Sequence, residues 1–358
     1  MAIFVSVSRP IQSVNTNPNP KCNKVMKRVL GIGNALTDFL VNLKDDNVLA
    51  EFGLGRGSMT LVDSEQQRQI QDRTASLPHT LSLGGSAGNT IRAMAKLGAS
   101  VGLIGKVGLD STGRFYERAL ENLGIEPFVF HGEKRSGRCL SLISPDGERT
   151  MVTYLGAALE LSKEDVTDNI FDGYDCLYVE GFQVQNHEVI EHVISLAKSK
   201  GLKIAIDLAS YNVVLENRDF LLHLVDEYVD IIFANEQEAA AFSGEEEPVN
   251  ALEFISKRCE LAVVKIGTRG ALIKCGGEVL HVGIMAAAKR VDTTGAGDFY
   301  AAGFLYGMCE GLSFRQCGTI GAIAAGKVIE VVGTTFGEEV WADIYRLVEK
   351  VKSEQYLF

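Results

Sequence analysis

The residues best equipped for chemistry lie together in one short segment, Asp292-Thr293-Thr294-Gly295-Ala296-Gly297-Asp298. Lys289-Arg290-Val291 leads in as strand, and Phe299 to Leu305 follows as helix, so strand, glycine turn and helix start are expected in that order. Gly295 and Gly297 carry no Cβ, which lets successive N–H groups turn toward one point. A helix starting there adds unpaired donors and the positive end of its dipole. Such a nest holds an anion, and Asp298 stands at its rim with a carboxylate able to accept a proton. An anion cradle beside a base is what phosphoryl transfer to a hydroxyl needs. An Asp in a first helical turn, taken alone, reads first as a complement to the dipole. The preceding Gly-Ala-Gly and Asp-Thr-Thr turn the reading toward catalysis.

The elements around this segment suggest how it is positioned. Arg28 to Gly33 reads as a first strand, and residues 38–63, interrupted by Gly53, Gly55 and Gly57, as excursion strands. Gly84-Gly85 opens a helix with Ile91, Met94 and Ala95 on one face. Between Phe128 and Tyr154 paired strands are expected, with Pro145-Asp146-Gly147 as a hairpin turn. From residue 174 onward, short apolar runs at 176–179, 204–206, 231–234 and 261–266 alternate with helical stretches. Strands apolar on both faces belong to a parallel sheet covered by helices. A second hairpin spans 271–282 and turns at Gly276-Gly277, and helices are expected around 298–310, 313–331 and 338–352. The strands of 38–63 and 128–154 could form a small lid over the carboxyl edge of the sheet, where open α/β sheets bind ligands.

Composition narrows the class. The 358 residues are 46% hydrophobic and 23% charged, and no apolar run is long enough to span a bilayer. A net charge of −11 argues against nucleic-acid and anionic-membrane partners. Cysteines at 22, 139, 176, 259, 275, 309 and 317 form no CxxC pair and read as reduced thiols of a cytoplasmic protein. Residues 1–27, polar and proline-broken over 13–20, read as a loose arm, 28–352 as the working domain and 353–358 as a tail.

With these pieces placed, the chain resembles the PfkB/ribokinase family of carbohydrate and nucleoside kinases, closest in motif style to bacterial adenosine kinase-like members. One signature is Gly84-Gly85-Ser86-Ala87-Gly88-Asn89 with its helix and then Gly105-Lys106-Val107-Gly108-Leu109-Asp110-Ser111-Thr112-Gly113; the other is Asp292 to Asp298. The resemblance implies a three-layer α/β/α fold with a mostly parallel sheet and a β lid. It also implies ATP with Mg²⁺ and transfer of the γ-phosphate to an alcohol, usually a primary one. By that resemblance Asp298 matches the catalytic base, and Gly295, Ala296 and Gly297 the anion hole. Asp38, Gly84, Gly85 and Asn89 match positions that hold substrate hydroxyls. Asn235 and Glu238, in Asn235-Glu236-Gln237-Glu238, match an element that organises Mg²⁺ largely through water; the same spacing suits a helix cap and its capping-box partner. Lys265-Ile266-Gly267-Thr268-Arg269-Gly270 resembles a segment lining the ATP site, with Gly267 and Gly270 allowing close approach; Lys265 also reads as structural. Thr294 falls in the nucleotide-binding turn, although a plain turn residue has the same chemistry. Some members also carry K⁺ beside this segment, near Val332-Gly333-Thr334.

Two features lean toward a nucleoside acceptor. Gly33-Asn34-Ala35-Leu36-Thr37-Asp38 looks like the opening of adenosine kinases, and Arg149 falls where those enzymes carry a phosphate-reaching arginine. Arg149 could equally pair with acids of the lid. A free-sugar kinase of the ribose or fructose type and a non-catalytic sugar- or nucleoside-binding regulator are the alternatives. A nicotinamide dehydrogenase is set aside because Gly31-Ile32-Gly33-Asn34-Ala35-Leu36 is no GxGxxG. Gly321 to Val328 nearly spells a phosphate loop, but it lacks the Ser or Thr for Mg²⁺ and sits in a small-residue helix. The lid could pair with a second subunit's lid, making a homodimer, or close alone.

Overall fold

The computed structural model describes residues 26–277, 279–287 and 289–358, so most of the expected arm, 1–27, lies outside the described residues. Fourteen strands are described: β1 Arg28–Ile32, β2 Leu36–Asn42, β3 Met59–Leu61, β4 His79–Gly84, β5 Ser100–Gly108, β6 Glu126–Gly132, β7 Gly137–Ile143, β8 Arg149–Tyr154, β9 Cys176–Glu180, β10 Lys203–Asp207, β11 Ile231–Asn235, β12 Leu261–Lys265, β13 Ala271–Lys274 and β14 Val279–Val282. Nine form one sheet in the order β14-β13-β12-β11-β10-β9-β1-β5-β6, and five form a second in the order β3-β8-β7-β2-β4. From β12 across to β6 the large sheet is parallel; the β13–β14 hairpin adds an antiparallel edge.

The parallel strands are apolar on both sides because both faces are covered. In β9, Cys176 and Tyr178 join one core while Leu177 and Val179 join the other. The first core takes residues from the helices Ser86–Leu97, Ala296–Cys309, Phe314–Val328 and Glu338–Lys352; the second takes them from His187–Ser199, Arg218–Glu227, Glu236–Ser243 and Pro248–Ser256. Burying each such aliphatic side chain contributes about 1.5–3 kcal/mol. The near-miss phosphate loop lies within the helix Phe314–Val328, where a Cβ on Gly321 would sit 2.8 Å from the Tyr300 carbonyl oxygen. Close helix packing, as expected, explains those small residues.

The small sheet has its own core, including Phe39, Val41, Leu140, Leu142 and Val152. The chain enters it after β1 through residues 33–35, and the β7–β8 hairpin pairs Ile143 with Arg149 around the expected turn. Four expectations are corrected here. Residues 126–132 form the edge strand of the large sheet instead of joining the lid, because β6 pairs in parallel with β5 along its whole length. The lid instead recruits β4, 79–84, which pairs antiparallel with β2. Residues 289–291 are irregular and not strand, with Val291 N–H bonded to the carbonyl of Ile329. Among the described residues, Cys139, Cys176, Cys259, Cys309 and Cys317 are free thiols, while Cys275 is disulfide-bonded, against the expectation of reduced thiols throughout. No helix among the described residues is long and apolar enough to cross a membrane.

Candidate active site

Four neighbouring parallel strands end in a polar residue: Glu180 on β9, Asp207 on β10, Asn235 on β11 and Lys265 on β12. Parallel register brings Asp207 beside Glu180 and Asn235 beside Lys265, so all four line one carboxyl edge. The Lys265 ammonium donates to Asp207 at 2.9 Å, Asp207 being buried and Lys265 partly so within the edge. Burial opposes the charge on Lys265, but Asp207 and then Glu238 outweigh it and hold its pKa above the ordinary value.

The segment 292–298 turns over this edge. Gly295 has φ +75, which an L side chain resists, and a Cβ there would meet Thr334 Cγ2 at 2.5 Å. It caps the helix Ala296–Cys309, whose first N–H groups have no intrahelical acceptor; that of Ala296 donates to the Thr293 carbonyl at 3.2 Å. Gly297 leaves room for Lys265: a Cβ would lie 3.0 Å from its Nζ. Asp298 sits in the first turn, partly buried, and accepts hydrogen bonds from Ser86 Oγ at 2.7 Å and Asn89 Nδ2 at 2.9 Å. Burial pushes its pKa up from 3.8 to about 6 against the pull of those bonds, and Asp207 adds to the rise. A carboxylate so placed can take and release a proton near neutrality.

Upstream, Asp292 accepts from the N–H of Thr294 and of Gly333, both at 2.9 Å, and from Arg149 Nη1 at 3.2 Å. Burial alone would raise its pKa; the two backbone bonds and the Arg149 charge outweigh it and leave the carboxyl below its usual range. Arg149, on β8, also donates to Ser141 at 2.7 Å, lies 3.9 Å from Asp38, and leaves its buried Nε without a partner. Asp38 on β2 is buried, which raises its pKa even with Arg149 and Arg92 nearby. Gly84 and Gly85 bring β4 against this group. A Cβ on Gly84 would lie 2.2 Å from Asp38 Oδ1, and one on Gly85, at φ +80, 2.3 Å from the Asn34 carbonyl oxygen.

On the far side, Asn235 and Glu238 form a reciprocal capping box. Asn235 N–H and Nδ2 donate to Glu238 at 2.7 and 2.6 Å, and Glu238 N–H returns to Asn235 Oδ1 at 2.9 Å. Burial raises the Glu238 pKa. Gly267 and Gly270, at φ +58 and +97, make the turn after β12, and Arg269 ties it to Glu236 at the head of the Asn235-capped helix. No cluster of three or more His, Cys, Asp or Glu placed to hold a metal occurs among the described residues.

The pfkB family carbohydrate kinase model matches residues 63–341. The chain belongs to that family. It is similar to the adenosine kinase from Sinorhizobium meliloti, with 34% identity, 90% of this chain and 99% of that one covered, and a TM-score of 0.79. It is equally similar to a probable sugar kinase from Rhizobium etli, at 32% identity, the same coverage and a TM-score of 0.80. An uncharacterized sugar kinase of Archaeoglobus fulgidus is 29% identical over 68% of this chain and 97% of its own length. The protein is therefore a pfkB-family carbohydrate/nucleoside kinase with a ribokinase-like α/β fold, in a family that uses ATP and small sugar or nucleoside substrates.

The fold of this kinase gathers Asp38, Gly84, Gly85, Asn89, Arg149, Thr294 and the 295–298 turn into one neighbourhood, tied in part by hydrogen bonds and ion pairs, and sets Asn235, Glu238, Lys265, Gly267 and Gly270 beside it on the strand ends. Sequence reasoning assigned no site role to Arg92, Glu180 or Asp207, quoted Ser86 only as part of the signature, and named Thr334 only in the loop beside a possible cation. For Glu180 and Asp207 a signal existed: each is the acidic last residue of an apolar run in a parallel strand. Glu180 accepts from Asn34 Nδ2 at 3.0 Å and Ala87 N–H at 2.9 Å, and burial lifts its pKa to about 7. Arg92 gave none, since the Thr334 and Thr335 it holds lie 242 and 243 residues away in sequence.

Proposed function

We propose that this kinase transfers the γ-phosphate of ATP to a primary hydroxyl of an adenosine-like nucleoside. The observation that carries the reading is the position of Asp298: its carboxylate bonds to the Gly-Gly-Ser-Ala-Gly-Asn helix while its own helix begins in the Gly295–Gly297 turn. In this reading Asp298 takes the acceptor's proton as its oxygen attacks in line, and Gly295 and Gly297 present amides to the charge on the transferred group, joined by that of Ala296 on release from the Thr293 carbonyl. Asp38, Gly84, Gly85 and Asn89 hold acceptor hydroxyls. Arg149 is drawn from Asp292 toward phosphate, and its unpaired Nε offers a free donor. Lys265, Gly267, Gly270, Thr294 and Asn235 line the nucleotide side.

Mg²⁺ fits with few protein ligands. Both Glu238 oxygens are held by Asn235, so these two residues act through water, with the phosphates and the solvent shell completing coordination. A K⁺ at Asp292 would compete with Arg149 and two backbone donors, so we assign none there. The acidic chain without a long apolar helix is read as cytoplasmic.

The nucleoside reading is supported by the Gly33–Asp38 opening, by Arg149 and by likeness to the Sinorhizobium adenosine kinase; likeness to the Rhizobium etli sugar kinase supports a free-sugar acceptor as the second reading. A panel of nucleosides, ribose and fructose with ATP-Mg²⁺, scored by ADP release, decides between them. Adenosine turnover with ribose and fructose idle is expected; the reverse pattern replaces the acceptor. No transfer to any member would favour a binding regulator. Omitting Mg²⁺ is expected to abolish turnover, and omitting K⁺ to leave it unchanged.

A further inference from the structure

Arg92 lies in the helix Ser86–Leu97 with only 7% of its surface exposed, and among the described residues it makes no ion pair. Burial pulls its pKa down to about 10, so the guanidinium is held at a cost. Its donors are spent on three separate elements. Nη1 donates to the Leu83 carbonyl of β4 at 3.0 Å and to Thr335 Oγ1 at 3.2 Å. Nη2 donates to Asn89 Oδ1 at 3.1 Å, to the Thr334 carbonyl at 2.7 Å and to Thr334 Oγ1 at 2.8 Å. Thr334 Oγ1 in turn donates to Asn89 Oδ1 at 3.0 Å.

This arrangement decides how Asn89 points. A guanidinium only donates, so the Asn89 atom facing it is the carbonyl oxygen. The amide NH₂ is thereby turned to Asp298, at 2.9 Å. The same clamp holds Thr334, whose methyl packs where a side chain on Gly295 would go, and Gly333, whose N–H holds Asp292. Arg92 therefore touches the supports of the acceptor side and of the glycine turn together.

We propose that Arg92 is a positioning residue for phosphoryl transfer, orienting Asn89 so that Asp298 is held as a carboxylate and locking the 333–335 loop behind the anion nest. The inference rests on Asp298 acting as the base. Besides Arg92, the titratable groups facing Asp298 are Tyr178 and Glu180 from β9, Asp207 from β10, Glu238 from the helix after β11 and Lys265 from β12. None of them is a hydrogen-bond partner of Arg92.

The test compares wild type, Arg92→Met, Arg92→Lys and Asp298→Asn, using the acceptor found in the panel. Arg92→Met is expected to lower kcat by about 10–100-fold, the scale of a misplaced reacting group. The acid limb of its kcat/KM profile should move up by about 0.5–1 pH unit, as the oriented amide and a nearby positive charge are lost. The KM for ATP should stay within about threefold. Arg92→Lys keeps the charge but not the fork across Asn89 and Thr334; it should move the limb in the same direction by less, and it supplies the readout where the Met variant fails to fold. Folded Arg92 variants with an unmoved limb and wild-type kcat, or activity lost only in step with folded fraction, overturn the role. An inactive Asp298→Asn alongside that result removes Arg92 alone. A nearly wild-type Asp298→Asn removes both Arg92's role and the base reading.

Discussion

Replacing Asp298 by Asn separates the chemistry of this site from its stability, and the two should move in opposite directions. Asn keeps the shape of the carboxylate and can keep both hydrogen bonds. Its oxygen can accept from Asn89 Nδ2, and its NH₂ can donate to Ser86 Oγ, a hydroxyl that accepts as well as donates. What disappears is a negative charge in a group that already holds Glu180, Asp207 and Glu238 around the single ammonium of Lys265. The folded pKa, about 6, lies above the ordinary 3.8, so the native state binds this proton more tightly than the unfolded chain does. The resulting stability is fully present below pH 3.8 and is lost as pH rises through 6. At pH 8 the ionised Asp298 therefore destabilises the fold, and Asn relieves it. Discounted for partial exposure, the gain is about 1 kcal/mol, which in a chain of this size is about 1–2 °C in Tm.

Rate should fall at the same time by about 10²–10⁴-fold, the usual contribution of a positioned base. Wild-type kcat/KM should lose about tenfold per pH unit below about pH 6, where Asp298 takes up its proton. Steady-state ADP release across pH, paired with thermal melts at pH 8 and pH 4, measures both effects. The melting advantage of the Asn variant should be present at pH 8 and vanish near pH 4. Turnover within tenfold of wild type would refute the base. A dead variant that melts lower than wild type at pH 8 would refute the electrostatic account of the cluster.

Gly84→Ala drives a methyl to within 2.2 Å of the Asp38 carboxylate, so it should raise the acceptor KM tenfold or more while leaving the ATP KM near wild type; equal effects on both would place Gly84 outside the acceptor side. β3 and β4 are the open edges of the lid sheet and expose Met59, Leu61 and Leu81, which supports lid-to-lid pairing of two copies. Sedimentation at micromolar concentration should then show a dimer that Leu61→Lys dissociates, and a monomeric wild type would dismiss that pairing.

Much of the large sheet and the glycine turn could be read without coordinates because both depend on local rules. Apolar runs ended by turns specify parallel strands whichever neighbours they meet, and two glycines flanking Ala296 ahead of an Asp specify a helix-start nest from backbone sterics alone. The Asn235–Glu238 capping box is equally local and formed as its spacing implied. Long-range pairing escaped that logic. Whether 126–132 joined the lid or the large sheet depended on whether β5 offered it a free parallel edge, which no pattern within those residues records. Arg92 looked like a polar position on an otherwise apolar helix; its partners arrive from β4 and from a loop 242 residues away in sequence. The raised pKa of Asp298 likewise comes from burial against strands that only folding assembles. Local backbone preference writes a nest and a carboxylate into the chain, but the desolvation and crossed hydrogen bonds that tune that carboxylate arise only when distant segments are packed together.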